Sequence, residues 1–183
     1  MKRTAFFVGL ALASAAFGAT VAGVALPDSA RLGETALVLQ GGALRSKLMF
    51  KVYVAALYLP ARRADAAAIL AADEPRRMEM RFLRSVGSEK VCEGWQEGLV
   101  ANTPGASAEL KKQFDQLCAW TPDVVEGTLV ALDYQPGQGT TISVGGQAKG
   151  TVAGKAFADA VLACWIGPQP GPGPDFKKAL LGG

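Results

Sequence analysis

The sequence predicts an α+β fold in which helices pack on one face of an antiparallel sheet. Three observations lead to this prediction. Segments with strand character come in hairpin-like runs joined by glycine turns. Helical segments fall in blocks between those runs and do not alternate with single strands. The chain also lacks a glycine-rich phosphate loop, which argues against a nucleotide-binding fold.

The first half of the domain is predicted to supply three strands and one helix. Residues 34–42 (ETALVLQGG) alternate loosely and end in a predicted glycine turn. Residues 48–59 form a long apolar strand that Pro60 ends. Residues 63–73 are rich in alanine and favour a helix. Apolar and charged side chains then alternate in residues 76–86, as they do in a half-buried strand.

Two amphipathic helices are predicted next. Residues 88–102 (SEKVCEGWQEGLVAN) carry apolar side chains in steps of four, and Trp95 belongs to that stripe and is expected in the core. Residues 107–120 (SAELKKQFDQLCAW) repeat the pattern. Ser88 and Ser107 are the predicted N-caps, because a serine hydroxyl can accept from a free N–H group of the first turn.

The last part of the chain is predicted to hold three short strands and two helices. The strands are residues 127–134, 140–144 and 147–152, and tight glycine turns separate them. A strongly apolar helix follows in residues 154–167 and ends at a glycine. Asp175 is the predicted N-cap of a short terminal helix.

The N-terminus is interpreted as an export signal. Two basic residues precede Ala5–Ala16, which is short, alanine-rich and almost wholly apolar. This pattern is typical of a secretory signal peptide, whereas a membrane anchor needs about 20 strongly apolar residues. We therefore assign residues 1–22 to the signal, with cleavage between residues 18 and 25, and residues 23–183 to a single domain. The mature protein is expected to be periplasmic or secreted and not to span the membrane.

Composition excludes several classes of function. The chain contains no histidine, which removes Ser-His-Asp and Cys-His catalysis and most zinc sites. We predict neither a cofactor nor a metal. The net charge is +3, and two of those charges lie in the signal segment. The remaining domain is nearly neutral, so nucleic acid is not an expected partner.

Three cysteines are widely spaced at Cys92, Cys118 and Cys164. In an exported protein they allow one disulfide with one thiol left over, and Cys92–Cys118 is the favoured pair. Buried free cysteines are the alternative, since all three lie in apolar helical segments.

Arg45 stands out in the segment GGALRSKLMFKVYVAALYLP. A guanidinium among small and apolar neighbours needs an anionic or carbonyl partner, and an ordinary structural ion pair would also satisfy it. Along the strand that follows, alternation places Lys51 and Tyr53 on one face. The other face, which carries Val52 and Val54, is more uniformly apolar and is predicted to be the core face.

Four segments in this order resemble the bacterial chalcone isomerase-like family, and together they cover roughly residues 24–183. The resemblance implies an open-faced sandwich, with a large antiparallel sheet covered by helices. The segments are GGALRSKLMFKVYVAALYLP, RSVGSEKVCEGWQEGLVAN, GTTISVGGQAKGTVAGKAFADAVLACWIG and DFKKALLGG.

The resemblance also implies a site. Chalcone isomerases and the related plant fatty-acid-binding proteins carry an arginine at the inner end of a cleft, and Arg45 matches it. Tyr53 falls where the isomerases have a strand threonine that binds an active-site water, and Lys51 is a weaker candidate. The isomerases also place a tyrosine and an asparagine on the helix that closes the cleft. Residues 85–100 contain neither, and no general base replaces them.

The sequence thus favours an exported protein that binds a small amphipathic acid, such as a fatty acid, in a cleft between sheet and helices. Two alternatives stay open. One is an intramolecular lyase, or isomerase, of chalcone-like enones, in which Arg45 stabilises an enolate. The other is a non-catalytic structural protein of the envelope, in which an acid pairs with Arg45 and the cleft is closed. No oligomeric state is predicted.

Overall fold

The structure is a computed structural model that describes residues 17–183. The segment interpreted as a signal peptide therefore lies outside the described residues as far as residue 16. Residues 17–27 form a two-stranded hairpin that we did not predict, because this segment was assigned in part to the signal. Its strands are β1 (Phe17–Val21) and β2 (Val24–Pro27).

The main sheet has seven antiparallel strands, and each strand pairs with the next one in the chain. This arrangement confirms the predicted α+β fold. The strands are β3 (Ser29–Leu32), β4 (Thr35–Lys47), β5 (Phe50–Leu59), β6 (Arg76–Phe82), β7 (Leu129–Gln135), β8 (Gly139–Val144) and β9 (Gln147–Val152).

The helices pack on one face of this sheet and share a large apolar core with it. The most deeply buried helix is α4, because nine of its residues are buried. It contacts β8 of the sheet and each of the other four helices. The helices are α1 (Ala66–Ala71), α2 (Ser88–Asn102), α3 (Ala108–Trp120), α4 (Lys155–Ile166) and α5 (Pro174–Leu180).

From Val54 to Leu59, strand β5 is buried on both faces, so the predicted choice between a core face and an outer face was wrong. Ala55 and Leu57 pack in the main core beneath the helices. Val54, Ala56 and Tyr58 belong to a second apolar cluster that the β1–β2 hairpin covers. A continuous apolar run is typical of a strand with both faces covered. The helices lie on the Tyr53 face.

The predicted turn at Gly41-Gly42 is also wrong, because β4 runs through both glycines to Lys47. A Cβ atom at Gly41 would lie 2.5 Å from the carbonyl oxygen of Ala179, and one at Gly42 would overlap the side chain of Leu26. Glycine is therefore needed here for close approach by neighbouring elements and not for a turn.

One of the three predicted N-caps is confirmed. The hydroxyl oxygen of Ser107 accepts a hydrogen bond from the N–H of Leu110 at 3.1 Å. Ser88 is instead the first residue of α2, and the carboxylate of Asp123 in another loop accepts from its N–H at 2.8 Å. That bond lowers the pKa of Asp123. Asp175 lies inside α5, which begins at Pro174.

The disulfide joins Cys92 of α2 to Cys118 of α3, as the sequence favoured, with 5.1 Å between the two Cα atoms. Cys164 of α4 is a buried free thiol. Helix α2 is thus fixed covalently to α3. It also packs closely on α4, since a Cβ atom at Gly98 would lie 2.6 Å from the sulfur of Cys164. These contacts hold α2 in place above one end of the sheet.

Candidate functional site

Arg45 and Tyr53 face each other across the β4–β5 hairpin. They are direct partners in the register of the two strands, and cross-strand partners project from the same face of a sheet. Tyr53 packs against the main core, so this pair lies on the face that the helices cover. The register shifts immediately after Arg45. Such irregularities re-aim a side chain and are common beside functional sites.

A cavity of about 540 Å³ lies between this end of the sheet and helices α2 and α4. Its volume is within the range of roughly 300–1,000 Å³ that small-molecule sites occupy. Arg45 and Tyr53 both line it. The apolar part of its wall consists mainly of Val52, Met80, Phe82, Val91, Trp95 and Trp165.

The guanidinium of Arg45 has no partner in the described part of the chain. Among residues 17–183, no carboxylate lies within salt-bridge distance of it, and no side-chain hydrogen bond satisfies it. Its side chain is only half-exposed. A cation in this position is available to an anionic group inside the cavity.

The hydroxyl of Tyr53 is oriented by Trp165. The indole Nε1–H of Trp165 donates to the Tyr53 oxygen at 2.9 Å, which leaves the hydroxyl hydrogen free to donate elsewhere. Burial raises the pKa of Tyr53 to about 12, although the Trp165 hydrogen bond and the charge of Arg45 act in the opposite direction. The phenol is therefore neutral at ordinary pH and can serve as a hydrogen-bond donor beside Arg45.

Comparison of the sequence with known protein families identifies one match. Residues 18–182 match the model of a family described as chalcone isomerase-like. The chain belongs to the chalcone isomerase-like family. The family predicted from the sequence is thus confirmed. No curated protein sequence matches the chain.

A solved structure extends the comparison to three dimensions. The fatty-acid-binding protein of Arabidopsis thaliana superposes on this chalcone isomerase-like chain with a TM-score of 0.64 and 16% sequence identity. The superposition covers 87% of this chain and 92% of the plant protein. At this level of identity the likeness shows the shared fold.

Both signs of charge surround the opening of the cavity. Lys47, Arg84 and Lys90 are basic and exposed, and Glu93 and Glu97 lie on α2. Lys90 and Glu93 neutralise each other through an ion pair of 2.8 Å. Lys47 and Arg84 make no ion pair within residues 17–183, so the rim formed by the strands is positively charged.

Lys51, the weaker site candidate, lies outside this cavity. It is exposed and does not line the wall. Alternation predicted that Lys51 shares a face with Tyr53, but the pairing of β4 with β5 shifts register between these two residues. The sequence missed Trp165, the partner of Tyr53. The apolar stripe of the predicted helix 154–167 predicted that Trp165 is in the core. It did not indicate which strand Trp165 would contact.

Helix α2, which covers the cavity, contributes few side chains that could take part in catalysis. The cavity-lining part of α2 contains neither a tyrosine nor an asparagine. The thiol of Cys164 also lines the cavity, but burial raises its pKa to about 12. A thiol is a nucleophile only as a thiolate, so Cys164 is unsuited to covalent catalysis. Within residues 17–183, no cluster of acidic or cysteine side chains could hold a metal ion.

Proposed function

We propose that this chalcone isomerase-like protein binds a small amphipathic carboxylic acid, fatty-acid-like in character, in the cavity beside Arg45. One observation carries the proposal. A half-buried guanidinium without an acidic partner faces a largely apolar cavity of about 540 Å³. A ligand carboxylate would give this cation a charge-assisted partner.

The two ends of such a ligand have matching surroundings. The planar guanidinium of Arg45 can make two parallel charge-assisted bonds to a carboxylate, and the hydroxyl of Tyr53 can donate a third. The alkyl chain would then lie against Phe82, Met80 and Trp95. A mostly apolar wall with a few convergent polar groups is the common design of small-molecule sites.

The shared fold supports this proposal. The Arabidopsis protein that superposes on most of the chain is a fatty-acid-binding protein. Its likeness makes the same class of ligand the first to test here.

Isomerase activity is the competing proposal, because Arg45 and Tyr53 could together stabilise the oxygen of an enolate. Catalysis also needs groups that hold the phenol and accept its proton. The part of α2 that lines the cavity has no tyrosine or asparagine, and Tyr53 and Cys164 both hold their protons to high pH. Binding without turnover is therefore preferred. Loss of enone absorbance above the uncatalysed rate, with any of several chalcones, would reverse this preference.

The structural-protein alternative required an acid on Arg45 and a closed cleft. Neither condition is met in the described residues, since the cavity is present and no acid pairs with Arg45. Both observations favour ligand binding over a purely structural role.

Export is part of the proposal. The N-terminal segment has the pattern of a signal peptide, and the Cys92–Cys118 disulfide suits an oxidising compartment such as the periplasm. Cleavage at residue 22 would remove β1, which covers the second apolar cluster. We accordingly place cleavage before β1. N-terminal sequencing of the exported protein tests this, and a mature chain that starts within residues 18–25, the range predicted from the sequence, would contradict it.

The binding proposal is tested by calorimetric titration of laurate into the wild type and Arg45→Ala. We expect a loss of about 10- to 100-fold in affinity, the equivalent of one charge-assisted interaction. Arg31→Ala is the matched control, because Arg31 is an exposed arginine that does not line the cavity. Equal affinity in the Arg45 variant would refute the role of this residue.

A further inference from the structure

The turn between β4 and β5 exposes three consecutive large apolar side chains, which we call the hairpin tip. The exposed fractions are 91% for Leu48, 95% for Met49 and 58% for Phe50. Other large apolar residues that are exposed within residues 17–183 occur singly. Isolated exposed hydrophobic residues are ordinary, whereas a contiguous group marks a surface that contacts something.

The backbone of the hairpin tip is also unusual, because Leu48 and Ala22 are the only non-glycine residues with positive φ within residues 17–183. Leu48 has φ of +56°, in a region that hairpin turns normally fill with glycine, asparagine or aspartate. The β8–β9 hairpin of the same chain has a two-residue turn too, and there both residues with positive φ are glycines, Gly145 and Gly146. An apolar side chain is thus kept at a position that disfavours it. A strained residue of this kind points to a function for its side chain.

Positive charges surround the hairpin tip. Lys47 and Lys51 flank it and are exposed, and the guanidinium of Arg84 lies 4.6 Å from the centre of the Phe50 ring. No acidic residue occurs in the sequence between Glu34 and Asp65. Apolar side chains surrounded by lysine and arginine match the surface of an anionic bilayer. The apolar groups enter the acyl boundary, and the cations contact lipid phosphates.

The hairpin tip also forms one side of the opening of the cavity, because Lys47, Leu48 and Phe50 contribute to the cavity wall. We propose that the tip inserts into the surface of an anionic lipid bilayer and so places the opening against the membrane. The proposal of membrane docking depends only on the hairpin tip. The further step, in which the bilayer supplies or receives the bound acid, rests on the proposed function.

A second copy of this chain fits the tip less well. A stable protein interface buries about 800 Å² on each partner, which three side chains cannot supply. Two copies joined at the tip would also bring their lysines together. A bilayer needs only a small apolar insertion with basic residues around it.

The experiment is flotation with vesicles of phosphatidylethanolamine and phosphatidylglycerol, compared with vesicles of phosphatidylcholine alone. We expect the wild type to bind the anionic vesicles more strongly. Met49→Ser should lower the partition coefficient about tenfold, since it removes one inserted side chain. Lys51→Ala should lower it about fivefold on anionic vesicles alone. Leu48→Asn should act like Met49→Ser, because asparagine suits the backbone of this turn.

Val100→Ser is the matched control. Val100 is 74% exposed on α2 and does not line the cavity, so this variant should bind vesicles as the wild type does. Met49 and Lys51 lie outside the cavity wall. Their variants should therefore retain the affinity for laurate in solution, which also shows that they are folded. Arg45→Ala should show the reverse pattern, with weaker laurate binding and unchanged flotation.

Three results would overturn membrane docking. The first is a wild type that does not float with anionic vesicles. The second is equal flotation of the wild type and Met49→Ser. The third is self-association in sedimentation that Met49→Ser abolishes, without vesicle binding, which would assign the tip to a second copy. If the wild type floats but binds no laurate, docking is retained and the proposed ligand is wrong.

Discussion

Two arginines on the helix-covered side of the sheet have opposite surroundings. Arg76 begins β6 and is 4% exposed, and its Nη2 lies 2.6 Å from a carboxylate oxygen of Asp159. Its guanidinium also stacks on Tyr134, 4.8 Å from the ring centre. Arg45 lies near the other end of the helix-covered face and has no acid beside it within the described residues.

The volume of empty space beside the two arginines also differs. The gap next to Arg76 and Tyr134 measures about 10 Å³, at most enough for one water. The cavity next to Arg45 measures about 540 Å³, and Trp165 lines both spaces. One arginine is thus paired with an acid within the fold, whereas the other faces a cavity of ligand size. This difference is the basis of our proposal that Arg45 binds a ligand, whereas Arg76 stabilises the fold.

Exchange of each arginine for alanine should separate these roles most clearly. Arg76→Ala removes a buried side chain that packs on Tyr134 and one of the two cations on Asp159, which keeps its ion pair with Lys155. It should lower the free energy of unfolding by about 2–5 kcal/mol, as loss of a large buried side chain does. Arg45→Ala breaks no ion pair and should change it by less than about 1 kcal/mol. Urea denaturation measures both. A comparable destabilisation by the two variants would show that Arg45 is also structural.

Loss of the disulfide should be the next largest effect. The Cys92–Cys118 bridge fixes α2, which covers the Arg45 cavity, whereas Arg76 is held by α4. Replacement of both cysteines by alanine should lower the free energy of unfolding by about 2–4 kcal/mol. It should also weaken laurate binding, because Trp95 and Val91 on α2 form part of the wall. Unchanged affinity in a destabilised variant would contradict a role for α2 in the site.

A smaller effect on ligand affinity is expected when the tyrosine beside each arginine is replaced by phenylalanine. Tyr53→Phe removes one neutral hydrogen bond to the ligand, so laurate affinity should fall about 3- to 10-fold. Tyr134→Phe is the matched control, since its hydroxyl donates to Asp73 outside the cavity, and it should leave the affinity unchanged. Calorimetry of both variants tests this. An equal loss in the two would mean that Tyr53 acts only through general packing.

The smallest expected effect is the dependence of the folding stability on pH, which should appear only in the alkaline range. Burial raises the pKa of Tyr53 to about 12, and desolvation and the Asp73 hydrogen bond raise that of Tyr134 to about 12. An unfolded tyrosine ionises near pH 10. The neutral phenols therefore contribute stability that is fully present below about pH 10 and is lost as the pH rises towards 12.

This pH effect is measured by absorbance titration of the phenols in the folded protein. The chain has only three tyrosines, and the pKa of the third, Tyr58, is also raised, mainly by burial. We therefore expect no tyrosine to ionise near pH 10 in the folded state. A normal titration of even one tyrosine would show that its hydroxyl is in contact with water. Laurate affinity should show no tyrosine-dependent change between about pH 6 and 9.

Periodicity in the sequence predicted most of the elements, because it reports local burial. The alternation in β6 and the apolar stripes of α2 and α3 predicted the type of each of these elements and its approximate bounds. The capping of α2 could not be predicted, since the acceptor for the N–H of Ser88 is Asp123, which is distant in sequence. The β1–β2 hairpin was hidden because its small apolar residues continue the composition of the signal segment.

The site was only partly predictable. Arg45 and Tyr53 were identified from a resemblance and a strand pattern, but their pairing depends on a turn that the sequence obscured. Gly41 and Gly42 suggested a turn too early, while the true turn has Leu48 at the position where glycine is expected. The contact of Trp165 with Tyr53 depends on how α4 crosses the sheet, which is a tertiary feature.

The most direct test compares laurate with dodecanol, the alcohol of the same chain length, on the wild type and on Arg45→Ala. If Arg45 binds the carboxylate, the wild type should prefer the acid by about 10- to 100-fold at neutral pH. The variant should lose that preference and retain its affinity for the alcohol. A preference for the acid that persists without Arg45 would contradict the account.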